Sequence, residues 1–167
     1  MFKILSDIDC CAIIECPPCR RMITVDGILY FLSFPTQLFK IYYYVGDSKA
    51  FIYSSSRSFF YDGVFIYDIP LLNIETAGRV CVGDVWINEK SIENLILKYL
   101  NFYWKRQFHY EYQSSVSWRS YKDFEIQDLK KWESKTKADV NWIPSEFDLI
   151  KSAYQKDLFF MGMKKSV

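Results

Sequence analysis

Residues 91–108 read SIENLILKYLNFYWKRQF, and at this point the chain changes its rhythm. Apolar side chains fall at Ile92, Leu95, Ile96, Tyr99, Leu100 and Tyr103, the three-and-four spacing that gathers them on one face of an α-helix. Ser91 is placed to cap the N-terminus, Glu93 suits the positive first turn, and Lys105 and Arg106 suit the negative last one. A helix is therefore expected here.

Upstream the period is that of strands. RMITV (21–25), ILYFLSF (28–34), QLFKIYYYV (37–45), KAFIYSSS (49–56) and GVFIYDI (63–69) are rich in β-branched and aromatic residues. Asp26-Gly27 is a two-residue hairpin signal, and VGDSK (45–49) and YDGV (61–64) are further turns. Nearer the start, MFKILSDIDCCAIIE lacks a helical period, so residues 7–25 read as two strands joined at Pro17 and Pro18. Downstream, YKDFEIQDLKKWESKTK (121–137) suggests a second helix after Ser120, and SEFDLIKSAYQKDLFF (145–160) a third, capped by Ser145 after Pro144. The expected class is α+β, an antiparallel β-meander followed by helices, in one domain spanning residues 1–167.

Composition narrows the functional classes. Half of the 167 residues are hydrophobic, 19% are aromatic, and the net charge is +1, so nothing electrostatic favours nucleic acid. Apolar runs stop well short of the ~20 residues that span a bilayer, and the acidic N-terminal stretch does not read as a signal peptide. A cytoplasmic protein without a membrane partner is expected. Five cysteines is an odd number, and thiols stay reduced in that compartment, so at least one is expected to do chemistry rather than form a structural disulfide.

Between the strands and the helix runs YDIPLLNIETAGRVCVGDVWINEK (67–90), too broken for a long strand and too aperiodic for a helix. It is expected to lie along the sheet as an irregular segment, with a turn at Gly78 and a short extended piece through Arg79, Val80 and Cys81.

Over roughly residues 25–108 this arrangement resembles the ubiquitin-conjugating (E2) superfamily. In that family an asparagine stands eight positions before the catalytic cysteine; Asn73 stands eight before Cys81, with Gly78 and Val80 also in register. A tryptophan then leads through a Ser or Thr into a helix, as Trp86, Ser91 and Ile92 do here. The chain departs from the pattern where Leu71 and Leu72 replace the motif's histidine and proline, where the stretch from cysteine to tryptophan is three residues shorter, and where the N-terminal amphipathic helix is not evident. Such departures are similar to those of divergent bacterial E2-like proteins from the PRTRC and antiphage Bil cassettes. The resemblance implies a ubiquitin-like protein, a ThiF-type activating enzyme (E1), a protein target and a JAB-type peptidase as pathway partners, in phage defence or a plasmid-linked process.

The chemistry implied is acyl transfer. Cys81 would hold the C-terminal acyl group of the ubiquitin-like protein as a thioester, because thiolate is both a good nucleophile and a good leaving group near neutral pH. Asn73 matches the residue that donates a hydrogen bond to the developing oxyanion or fixes the loop around it. Asp84, three residues after Cys81, is the candidate carboxylate for orienting or deprotonating the incoming lysine, and Arg79 the candidate cation beside the thiolate. With no amphipathic N-terminal helix, the activating enzyme is expected to dock on the later helices, where Lys130 and Lys131 are exposed candidates.

Other readings compete. Cys81 as a small buried hydrophobe is the simplest. An E2-like module that binds the ubiquitin-like protein or the activating enzyme without catalysis fits the missing histidine. A cysteine hydrolase needs a histidine base, and His109 is the only one in the chain. Cys16 and Cys19 have zinc-type spacing, with Cys10 and Cys11 nearby, yet adjacent cysteines rarely share one tetrahedral site and Pro17-Pro18 makes an ordinary turn. No metal or cofactor is assigned.

Overall fold

A computed structural model describes residues 2–8, 11–45, 50–52, 57–70, 74, 78–80, 87–109, 121–122, 124–154 and 159–160. Its class is α+β. The strands, in chain order, are β1 Lys3–Ile8, β2 Cys11–Cys16, β3 Cys19–Val25, β4 Ile28–Phe34, β5 Gln37–Val45, β6 Ala50–Ile52, β7 Arg57–Tyr61, β8 Ile66–Tyr67, β9 Asn88–Glu89 and β10 Gln107–Phe108. Two helices, α1 Ile92–Lys105 and α2 Leu129–Ala138, are the longest helical elements among the described residues.

The framework is a long antiparallel ribbon bent in the middle. β2 pairs with β5 and β3 with β4; Cys16 faces Gln37 and Cys19 faces Phe34, so the register carries through the bend without a residue gained or lost. Pro17-Pro18 on one side and Pro35-Thr36 on the other make the break, where the prolines have no N–H to contribute to a ladder. At the far end Asp26 (φ 44°) and Gly27 (φ 80°) form the tight turn that the sequence signals. Below the bend, β1 pairs with β2, and the free edge of β5 is shared: residues 37–40 take β7 and residues 43–45 take β6. β8 pairs with β7, and β9 with β6.

Helix α1 forms where expected. The Asn94 N–H donates to Ser91 Oγ (3.2 Å), Glu93 lies in the first turn and Lys105 in the last. Leu95, Ile96, Tyr99, Leu100, Tyr103 and Trp104 are buried. Tyr103 meets Phe39 edge-on at 5.0 Å and Trp104 meets Phe34 at 5.0 Å, so the helix packs over the bend. Beneath it Gln37 Nε2 donates to Ser58 Oγ (2.7 Å) and Tyr103 Oη (3.1 Å), a buried polar contact joining β5, β7 and α1.

The other two helices differ from expectation. The second begins at Leu129, not after Ser120: a single 3-10 turn at Glu125–Gln127 precedes it, and Asp128 is the cap, accepting from the N–H groups of Lys130 (2.9 Å) and Lys131 (3.3 Å). Ser120 lies outside the described residues. The expected third helix does not extend over residues 145–154. Ser145 Oγ and N–H both donate to Asp148 Oδ2 (3.1 and 3.0 Å), closing one turn, and the chain then extends alongside β8. The Asp68 N–H donates to Ile150 O and the Ser152 N–H to Ile66 O (both 3.0 Å), bonds that a helix would have spent internally. The Tyr121 hydroxyl fastens the arrangement, donating to Asp68 O (2.7 Å) and accepting from the Ile150 N–H (2.8 Å). Residues 155–158 lie outside the described residues; Phe159 packs with Ile13, Leu38, Phe59 and Ile66 on the face of the sheet opposite α1.

Candidate functional site

Cys81, Asn73 and Asp84, the three expected site residues, lie outside the described residues, as do Leu71, Leu72 and Trp86. What surrounds them is described. Ile74 and Val80 form an antiparallel bridge and both are fully buried. Arg79 bridges Arg57 at the start of β7 and faces solvent.

Gly78 explains how that close approach is possible. Its φ is +71°, and a Cβ there would stand 2.5 Å from the Phe59 ring and 2.6 Å from the Ser58 carbonyl oxygen. Glycine alone fits both the left-handed backbone and the contact. The Phe59 ring is itself held from the other side, stacked on Tyr154 at 5.4 Å and edge-on to Phe159 at 5.5 Å. The Arg57 guanidinium lies 4.9 Å from the Tyr154 ring. The seat of residues 78–80 is thus β7, backed by the chain's last described segment.

The segment is fixed again at its far end. Ile87 is buried, β9 pairs with β6, and Ser91 caps α1 two residues after β9 ends. In the sequence, Cys81 follows the buried Val80 directly and Asp84 comes three residues later.

The remaining expected residues are spread apart. His109 Nδ1 lies 3.0 Å from Asp26 Oδ1, tying β10 to the β3–β4 turn. Cys11 is half-buried in β2, Cys16 buried at the end of β2 and Cys19 half-buried at the start of β3, while Cys10 lies outside the described residues. Among the described residues no group of three or more His, Cys, Asp and Glu side chains is arranged to hold a metal ion. Among them, too, no helix is long and apolar enough to cross a membrane.

In the sequence one strand is expected to run to Ser56 and the next to begin at Gly63, so β7 at Arg57–Tyr61 is not anticipated. The signal was Phe59-Phe60-Tyr61 set between the serines at 54–56 and Asp62-Gly63, and in the fold Ser58, Phe59 and Phe60 are all buried, as in a strand covered on both faces. Comparison with family models, with curated proteins and with solved structures found no match.

Proposed function

We propose that this chain is an E2-like carrier that accepts a ubiquitin-like protein from a ThiF-type activating enzyme on Cys81 and transfers it to an amine of a target protein. The observation that carries this reading is the anchoring of Gly78 and Arg79 on β7 and of Asn88 and Glu89 on β6, immediately before α1. It supports a thiol that follows antiparallel strands and precedes a helix in the chain, although the strands pair as a bent ribbon with β5 between β2 on one side and β6 and β7 on the other, not as the sequential meander that was expected. In the reaction the Cys81 thiolate attacks the thioester carbonyl of the charged activating enzyme, whose cysteine leaves as thiolate. A lysine amine then attacks the Cys81 thioester, its proton passing to a base, and the Cys81 thiolate is released. Asn73 stabilises the oxyanion or its loop, and Asp84 orients or deprotonates the amine.

Incubation with the activating enzyme, ATP and the ubiquitin-like protein is expected to give a thiol-sensitive adduct that Cys81→Ala abolishes and that substitutions at Cys10, Cys11, Cys16 and Cys19 leave intact. Asn73→Ala and Asp84→Ala are expected to charge normally but discharge to lysine about ten- to a thousandfold more slowly. An adduct that survives Cys81→Ala refutes the assignment. Leu71 in the place of the motif histidine favours the second reading, a non-catalytic binding module. Tight binding of the same partners with no adduct would select it.

A further inference from the structure

A hollow of about 210 Å3 opens between the bend of the ribbon and α1, lined by Cys16, Pro17, Cys19 and Arg21 on one side and Leu100 and Trp104 on the other. Cys19 also borders a second hollow, of about 410 Å3, with Arg20, Asn141 and Ile143. Its sulfur is held from one direction: Arg21 Nε donates to Cys19 Sγ at 3.3 Å, and the Arg21 guanidinium is fixed over the Trp104 ring at 4.5 Å. Cys19 thus borders both hollows and is only half-buried, so a small oxidant can reach its sulfur. Cys16, only 7% exposed, faces the same cavity. Burial, with Cys19 beside it and Arg21 opposing, pushes its thiol up to about 11, so it stays protonated and inert until an electrophilic sulfur is next to it.

Only Pro17 and Pro18 separate the two cysteines, and both thiols line the same hollow. Cys16 ends β2 and Cys19 begins β3, and Pro17 and Pro18 donate no ladder hydrogen bond that closing the bend would break. The pairs on either side, Cys16 with Gln37 and Cys19 with Phe34, fix the two residues at either edge of the bend, so a bridge closes by tightening the bend itself.

We propose that Cys16 and Cys19 are a reversible redox pair, in which Cys19 is oxidised by a hydroperoxide and Cys16 resolves it as an intramolecular disulfide. In the first step the Cys19 thiolate attacks the peroxide oxygen, the O–O bond breaks, and the second oxygen leaves as hydroxide and takes up a proton. Cys19 is then a sulfenic acid. In the second step the Cys16 sulfur attacks the Cys19 sulfur; the S–O bond breaks, and the Cys16 proton leaves with the hydroxyl as water. Two electrons pass from the two thiols to the peroxide, and a dithiol returns the pair to the reduced state.

The test is peroxide titration of the whole protein with hydrogen peroxide, quenching in denaturant with a thiol-alkylating reagent, and peptide mass spectrometry. The expected product is a peptide lighter by two hydrogen atoms, with neither Cys16 nor Cys19 alkylated, reversed by dithiothreitol. In Cys16→Ala, Cys19 is expected to accumulate a dimedone-reactive sulfenic acid; in Cys19→Ser, Cys16 is expected to remain alkylatable at the same peroxide dose. Cys19 oxidised in the unmodified protein while Cys16 stays alkylatable would overturn the proposal, as would a disulfide from either residue to Cys10 or Cys11, or both thiols remaining intact. The result in the unmodified protein decides even where a variant fails to fold.

Discussion

Gly78 and Gly27 share a positive φ, +71° and +80°, but not their surroundings. Nothing lies within 4 Å of a Cβ placed on Gly27, whereas at Gly78 the Phe59 ring and the Ser58 carbonyl stand under 3 Å away. Gly27→Ala is therefore expected to cost only the left-handed backbone strain, about 1–2 kcal/mol. Gly78→Ala adds a collision with a ring wedged between Tyr154 and Phe159, and is expected to cost about 1–3 kcal/mol more. Urea unfolding of the two variants checks the difference; equal midpoints would mean that residues 78–80 are not seated on β7. Gly78 was legible as a turn in the sequence. The partner that makes it obligatory was not, because Phe59 lies nineteen residues earlier and meets it only through the fold.

At the scale of elements, α2 closes a sheet edge with its side chains. The outward N–H groups of Phe31 and Ser33 on β4 donate to Glu133 Oε1 (2.8 Å) and Thr136 Oγ1 (3.0 Å), and Trp132 Nε1 donates to Ser33 O (3.1 Å). An open edge invites pairing with other chains, and here three side chains occupy it. Thr136→Val leaves the buried Ser33 N–H without that acceptor and is expected to cost about 1–3 kcal/mol, with faster hydrogen exchange at Ser33. The Phe31 N–H, and then Lys137 at 2.9 Å, hold the Glu133 carboxyl below the usual glutamate range. Its folded form thus favours the carboxylate, so the contribution is present above the unfolded pKa and is lost as pH falls through the lower folded value. The stability gap between the unmodified protein and Glu133→Gln is expected to be widest near neutral pH and to close as the pH falls below the glutamate range; a gap that stays constant would contradict this. Lys130 and Lys131, both exposed on α2, remain the candidate contact for the activating enzyme. Their reversal to Glu is expected to slow charging of Cys81 without shifting the urea midpoint.

Across the whole molecule, the sequence was most readable where local signals and tertiary packing agree. Helix α1, with its cap and buried stripe, and the Asp26-Gly27 turn follow from neighbours within a few residues. The break between strands at Pro17-Pro18 was legible for the same reason, but its form was not: an ordinary turn is expected there, whereas β2 and β3 continue in one direction along the ribbon, paired with β5 and β4. Residues 145–154 were misread because Ser145 and Asp148 do make a helix-like first turn, yet Asp68, Ile66 and Tyr121, far away in sequence, claim the backbone groups that a helix needs. The candidate site divides likewise: the spacing of Asn73, Gly78 and Cys81 is visible in the chain, while the seat of Gly78 on β7 and the backing of Phe59 by Tyr154 and Phe159 appear only once the sheet is assembled.

The most direct test of the carrier assignment replaces sulfur by oxygen at one atom. Charged with the ubiquitin-like protein by the activating enzyme and ATP, the unmodified protein is expected to form an adduct that dithiothreitol removes. Cys81→Ser is expected to form one that resists dithiothreitol and yields to alkali, the behaviour of an oxygen ester, and intact-mass and peptide mapping should place both at residue 81. A thiol-sensitive adduct on Cys81→Ser, or one mapped to any other cysteine, would contradict the account.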